Sequence, residues 1–404
     1  MDLEFYLDIA SPNAYLASTQ VEALAERTGA NLIYKPVHAE TMYRALYGSP
    51  EPPAARESAP RHRMRELDLL RQAELLGQRL VEPTKETKHA VDAMRLIMAA
   101  SSEYQPRLIR ALFQARWVDG EDIGSRSILV RIAEDCGVNV QHLDRAESLR
   151  ALQDATEIAL GKGVFDVPSF RVGDEMWWGV DRLHFVERAL GGHPPVVEPT
   201  PKGGGQLEFF HDFVSPYAYL AWSTLPQLAA AHRARLICRP VSLTLLLAAL
   251  GTPGVPMRQM TRPLREYTAR DLQAWADLRG TPFQFSTHFP METDAALRVA
   301  YAEPATTSVI YRAAWVDNRD IANPNVLAEL IRDAGFDARG VLKRSGEQAA
   351  REALISNLER AITLGACGVP TFVVNGRYAF WGQDRLGMVA RALDGWAPKA
   401  DEIL

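Results

Sequence analysis

Two apolar runs stand out along the chain: Leu3-Glu4-Phe5-Tyr6-Leu7-Asp8-Ile9-Ala10 and Leu207-Glu208-Phe209-Phe210-His211-Asp212-Phe213-Val214. Each predicts a strand, over Leu3–Ile9 and Leu207–Phe213. Each run leads into a serine and a proline, as Ser11-Pro12-Asn13-Ala14-Tyr15-Leu16-Ala17 and Ser215-Pro216-Tyr217-Ala218-Tyr219-Leu220-Ala221. A serine hydroxyl accepts from an unpaired N–H of a first helical turn, and proline suits the next position because its N–H is missing anyway. A helix is therefore predicted to start at each Ser-Pro. Second strands follow at Asn31–Lys35 and Arg235–Arg239, which makes a strand–helix–strand unit in each half. From about residue 40 to 160, and again from about 245 to 365, apolar residues recur three and four apart, as at Ile109, Leu112 and Phe113. That spacing predicts packed amphipathic helices. Each half closes with a hairpin and a helix. The hairpins are Ser169–Val172 with Glu175–Trp178, and Thr371–Val374 with Arg377–Phe380 around Asn375-Gly376, a strong short hairpin signal. The last helices are predicted to begin near Asp181 and Asp384.

The order of these features repeats. Ser11 matches Ser215, Trp117 matches Trp315, Pro168 matches Pro370 and Asp181 matches Asp384, each pair 198 to 204 residues apart. The chain reads as a tandem duplication of domain-sized units: residues 1–190, a Pro/Gly-rich linker over 191–205, and residues 206–397. A length of 404 residues suits two domains, and 47% hydrophobic with 24% charged residues is ordinary globular composition. A net charge of −5 argues against a nucleic-acid or acidic-membrane partner. No apolar run approaches the roughly 20 residues of a membrane span. No basic segment followed by an apolar one precedes the first strand, so no secretory signal is expected. The cysteines, Cys136, Cys238 and Cys367, form no C-x-x-C pair, which suits a reducing cytoplasm.

The candidate chemistry sits at the serine turns. A helix N-terminus carries partial positive charge and free N–H donors, and it stabilises an anion or a thiol that must become one. Serine can also be no more than a cap. Val167-Pro168 and Val369-Pro370 directly precede the third strand of each copy. A cis X–Pro bond is uncommon and is kept for geometry, and both copies carry this proline at matching places.

Strand–helix–strand, helical insert, hairpin and helix make an α/β layout, that of a thioredoxin fold with an inserted helical subdomain. The chain resembles the kappa-class glutathione transferases and the bacterial 2-hydroxychromene-2-carboxylate isomerases, in the DsbA-like branch of the thioredoxin superfamily. In the second copy the resemblance runs through Asp212–Tyr217, Arg239-Pro240-Val241, His288-Phe289-Pro290, Gly368–Phe372 and Phe380–Leu386. In the first it runs through Ser11-Pro12, Lys35-Pro36-Val37, Val167–Phe170 and Trp178–Leu183. It implies glutathione as cofactor. Ser215, and Ser11 in the first copy, would hydrogen-bond its sulfur. Backbone groups at Val369-Pro370 and Val167-Pro168 would pair with its cysteinyl part. Gln383, Asp384 and Arg385, with Asp181 and Arg182 in the first copy, would hold its γ-glutamyl end. Val180 stands where the second copy has Gln383. Two departures are visible. Where the family commonly has polar residues, the loops Tyr47–Pro53 and Leu250–Pro256 carry no lysine, and Glu82-Pro83-Thr84-Lys85 replaces the second copy's His288-Phe289-Pro290.

The resemblance implies a glutathione-dependent isomerase acting on a small aromatic-derived substrate. In that chemistry a thiolate adds to a conjugated carbon and later leaves. A kappa-type transferase or peroxidase using the same thiol is an alternative, and so is a non-catalytic DsbA-like binding protein. Disulfide exchange needs two thiols, and the serine turns supply neither. Cys367 should lie near the second site as a small packed side chain. Family members usually pair, so the two halves are expected to form an internal pseudo-dimer.

Overall fold

The structure is a computed structural model describing residues 1–81, 90–140, 146–194, 203–252, 257 and 260–402. Glu82-Pro83-Thr84-Lys85, the stretch 253–256 and linker residues 195–202 lie outside the described residues. The chain divides into two compact units. The first comprises Met1–Arg56, Leu69–Val196 and Thr261–Tyr267, and the second Glu57–Asp68, Val197–Met260 and Thr268–Leu404. Each unit thus includes a short helical stretch from the other sequence half.

In the first unit a four-stranded sheet has the order β2-β1-β3-β4, with β1 at Asp2–Leu7, β2 at Asn31–Pro36, β3 at Ser169–Val172 and β4 at Glu175–Trp178. β2 runs parallel to β1, from Asp2 opposite Asn31 to Leu7 opposite Pro36. β3 runs antiparallel on its other edge, with Phe5 opposite Phe170. Leu3, Phe5 and Leu7 are fully buried, as a strand between two others and under helices requires. β1 ends two residues before the predicted Ile9. The Asp8 carboxylate takes the Ala10 N–H and the Asp8 carbonyl takes the Ser11 N–H, so the chain turns there.

The second unit repeats this sheet as β6-β5-β7-β8, with β5 at Gly205–His211, β6 at Ala234–Pro240, β7 at Thr371–Val374 and β8 at Tyr378–Trp381. Its hairpin turn has Asn375 at φ 53° and Gly376 at φ 68°, the left-handed pair that a two-residue hairpin needs. Burial of an aromatic side chain such as Phe209, Phe210 or Phe372 contributes about 2 kcal/mol each.

The helices that open at the serines differ. Pro12–Thr28 is continuous, whereas the second copy has Pro216–Trp222 and then Leu225–Ala231. Pro226 explains the break, because it has no N–H for the Trp222 carbonyl and its ring would clash with it. The closing helices also begin later than predicted. Tight turns at Val180–Arg182 and Gln383–Arg385 precede α-helices at Leu183–Ala189 and Leu386–Leu393. The turns follow Gly179 at φ 99° and Gly382 at φ 110°. A Cβ there would meet the Asp181 or Asp384 carboxylate at 2.7 or 2.6 Å, so only glycine fits. No helix among the described residues is long and apolar enough to cross a membrane.

Candidate functional site

Both serines cap their helices as the sequence predicts. Ser11 Oγ accepts from the Ala14 N–H at 3.2 Å, and Ser215 Oγ accepts from the Ala218 N–H at 3.1 Å. Each hydroxyl then donates to the residue before the proline, Ser11 to the Val167 carbonyl at 3.4 Å and Ser215 to the Val369 carbonyl at 3.3 Å. Those bonds are long for O–H···O, so little is lost if the hydroxyl turns toward another acceptor. Val167-Pro168 and Val369-Pro370 are both cis, as is Phe289-Pro290.

The neighbouring groups hold this arrangement, and several of them are invisible to motif reasoning. Trp117 Nε1 donates to the Ile9 carbonyl at 2.9 Å, and Trp315 Nε1 donates to the Phe213 carbonyl at 2.8 Å. The two tryptophans therefore pin the turn two residues before each serine. Asp8 accepts from the Ala10 and Ala39 N–H groups, both at 2.9 Å. Asp212 accepts from Val214 at 3.1 Å and Leu243 at 2.8 Å. These buried carboxylates tie the serine turn to the segment after the second strand of each copy. Burial pushes both above the usual carboxylate range, while the backbone donors pull the other way. The signal was present in the sequence as an acid recurring three positions before the Ser-Pro serine. In the second unit His211 is fully buried, with Nδ1 3.0 Å from the Tyr311 hydroxyl, and burial lowers it to about 3.

The cis-proline corners diverge. The Val167 N–H donates to the Asp166 carboxylate at 2.8 Å, and the Tyr43 hydroxyl also reaches that oxygen. In the second copy Gly368 occupies the Asp166 position, and among the described residues no acceptor meets the Val369 N–H. A Cβ on Gly368 would lie 2.8 Å from Trp381 Nε1, so its backbone is pressed against that indole.

The acidic turns sit beside the serine helices in both units, Val180–Arg182 against Pro12–Thr28 and Gln383–Arg385 against Pro216–Trp222. Gln383 is only 1% exposed, and neither its Oε1 nor its Nε2 has a hydrogen-bond partner. A buried amide without a partner costs about 1–3 kcal/mol, a cost that a ligand or water placed against it would offset. Its place in the first copy is taken by buried Val180. Arg279 fastens the turn to the serine helix by donating to the Gln383 carbonyl at 2.9 Å and to the Leu220 carbonyl. Arg385 holds both Asp68 oxygens at 2.6 and 2.9 Å and lies 3.3 Å from Asp384. Arg182 lies 3.0 Å from Asp181. Burial pushes the Cys238 thiol to about 11 and the Cys367 thiol to about 12, so both are protonated at neutral pH. Cys367 packs with Phe210, Val241 and Val369, the small buried role expected of it.

The second site thus gathers a hydroxyl, a free N–H, an unpaired amide, an acid and a helix N-terminus. That set suits the thiol and amino-acid ends of a small peptide. A DSBA-like thioredoxin domain matches residues 2–191 and again residues 206–394. The 2-hydroxychromene-2-carboxylate isomerase of Pseudomonas sp. (strain C18) is 29% identical over 196 residues, covering 48% of this chain and 91% of that protein. The isomerase of Sphingobium xenophagum is 30% identical over 46% of this chain and 97% of its own. Human glutathione S-transferase kappa 1 is 24% identical over 48% of this chain and 92% of its own. A solved 2-hydroxychromene-2-carboxylate isomerase is 26% identical with a TM-score of 0.43, covering 46% of this chain and 93% of that one. Each relative spans about half of this chain, in keeping with a unit used twice. The chain belongs to the DSBA-like thioredoxin domain family, as a tandem duplication.

Proposed function

We propose that this chain is a glutathione-dependent isomerase of the 2-hydroxychromene-2-carboxylate type, working at the second copy's site in the cytoplasm. The observation that carries the reading is the pair of unsatisfied groups beside Ser215, the Val369 N–H and the buried Gln383 amide. Glutathione would offer an acceptor to the Val369 N–H and both donors and acceptors to the Gln383 amide, and when bound it would supply a thiolate able to add reversibly to a conjugated carbon. The Ser215 hydroxyl, released from its long bond to Val369, donates to the sulfur and favours the anion. The N-terminus of Pro216–Trp222 adds its partial positive charge. The Val369 N–H pairs with the cysteinyl carbonyl. Gln383 and Asp384 take the γ-glutamyl carboxylate and ammonium, and Arg385 holds Asp384 in place. The first copy serves as the internal partner of a pseudo-dimer.

The test is absorbance of 2-hydroxychromene-2-carboxylate mixed with the purified chain. Interconversion is expected at substoichiometric glutathione, with the thiol recovered unchanged. Accumulation of a glutathione conjugate would make the chain a kappa-type transferase instead. Turnover indifferent to glutathione would remove the reading.

A further inference from the structure

We infer that Arg61, stacked on Trp381, is the residue that holds the carboxylate of the substrate. The helix Ala59–Leu75 begins in the stretch Glu57–Asp68 that belongs to the second unit. Positions 57, 61, 65 and 68 fall along one side of that stretch. Met64 packs in the same apolar cluster as Cys367 and Val369, with Trp381 against it, which brings this face beside the cis-proline corner. The Arg61 guanidinium lies 4.7 Å and that of Arg65 5.7 Å from the Trp381 ring centre. Glu57 serves both arginines unequally. Arg65 holds it with two hydrogen bonds at 2.6 and 2.9 Å, which leaves Arg61 a contact of 3.4 Å and an Nε with no hydrogen bond. Asp68, on the same helix, is held by Nε and Nη2 of Arg385. Arg61 is therefore a cation with 16% of its side chain exposed and a donor unused. Burial disfavours its charge, so an anion that completes its hydrogen bonds is favoured there.

The equivalent stretch in the first unit has the opposite character. Leu264 stands in the Arg61 position and Tyr267 in the Met64 position, and both pack in an apolar cluster with Trp178 and Phe165. Among the described residues a cation on this indole thus belongs to the second unit and is not a feature of the repeated fold.

The inference rests on the isomerase reading for the identity of the anion, so its test is made to stand apart. Binding of cinnamate and of its methyl ester is measured by calorimetry, without glutathione, on wild type, Arg61→Met and Arg61→Lys. Glutathione affinity is measured in parallel. Wild type is expected to prefer the acid to the ester. Arg61→Met should weaken the acid about 10-fold or more, leave the ester and glutathione within about 2-fold, and be partly rescued by Arg61→Lys. That pattern supports Arg61 even if glutathione fails to bind, which would defeat the isomerase reading alone. Acid affinity unchanged in Arg61→Met would overturn the inference. So would a loss confined to glutathione, since the anion would then be the peptide's own carboxylate.

Discussion

In the first unit the Val167 N–H is given to Asp166, and the residue before Asp181 is apolar Val180. In the second unit Gly368 and Gln383 fill those places, and among the described residues the Val369 N–H and the buried amide meet no partner. The two units share the serine cap, the tryptophan pin, the buried acid and the cis corner. Around that frame they differ in whether the polar groups are already satisfied. A satisfied site is stable and has nothing to offer a ligand. An unsatisfied one carries a cost that ligand binding offsets. The duplication thus separates the parts common to both units from those proposed to bind.

The largest expected difference is in turnover. Ser215→Ala should lower kcat/KM about 100-fold, as loss of one donor to a developing anion does, while Ser11→Ala should change it less than about 2-fold. Both variants should lose about 1 kcal/mol of stability with the cap, so denaturant midpoints would fall alike although activities do not. Equal activities in the two variants would erase the distinction.

A second contrast concerns a repeated ion-pair cluster. Glu208 is fully buried between Arg239 at 2.9 Å and Arg360 at 2.6 Å. Its counterpart Glu4 is partly exposed, 2.9 Å from Lys162 and 3.7 Å from Lys35. Glu208→Ala should cost about 2–3 kcal/mol in urea unfolding, since it strands two arginines that only partly reach water. Glu4→Ala should cost about 0.5–1 kcal/mol. Equal costs would mean that burial does not distinguish the two clusters.

The smallest contrast is in acid. His211 has Leu7 as its counterpart. Its folded-state value of about 3 lies below the ordinary 6.5, so the unfolded chain takes up the proton first. Its contribution to stability is complete above about pH 6.5 and fades toward pH 3. The double variant His211→Leu with Tyr311→Phe, which leaves no orphaned hydroxyl, should flatten thermal stability across that window. The raised Asp8 and Asp212 act in the opposite sense, losing stability as pH rises, but they occur in both units and drop out of the comparison.

Much of this frame was legible in the sequence. Ser-Pro after an apolar run specifies a capped helix at a strand end, and Asn375-Gly376 specifies a hairpin, because both are local backbone chemistry. Asp8 and Asp212 were legible as a repeat but not as a staple, since their partners Ala39 and Leu243 are distant in sequence. The placing of Arg61 and Met64 beside Trp381, and of Leu264 and Tyr267 beside Trp178, was not legible. Helical periodicity says that a face is buried and not what buries it. Nor does a motif disclose that Asp166 occupies its neighbour's N–H.

The most direct measurement is calorimetric titration of the intact chain with glutathione, repeated on Ser11→Ala and Ser215→Ala. One molecule bound per chain is expected in wild type and in Ser11→Ala, with clearly weakened affinity in Ser215→Ala. Two molecules per chain, or binding that survives Ser215→Ala and disappears in Ser11→Ala, would contradict the account.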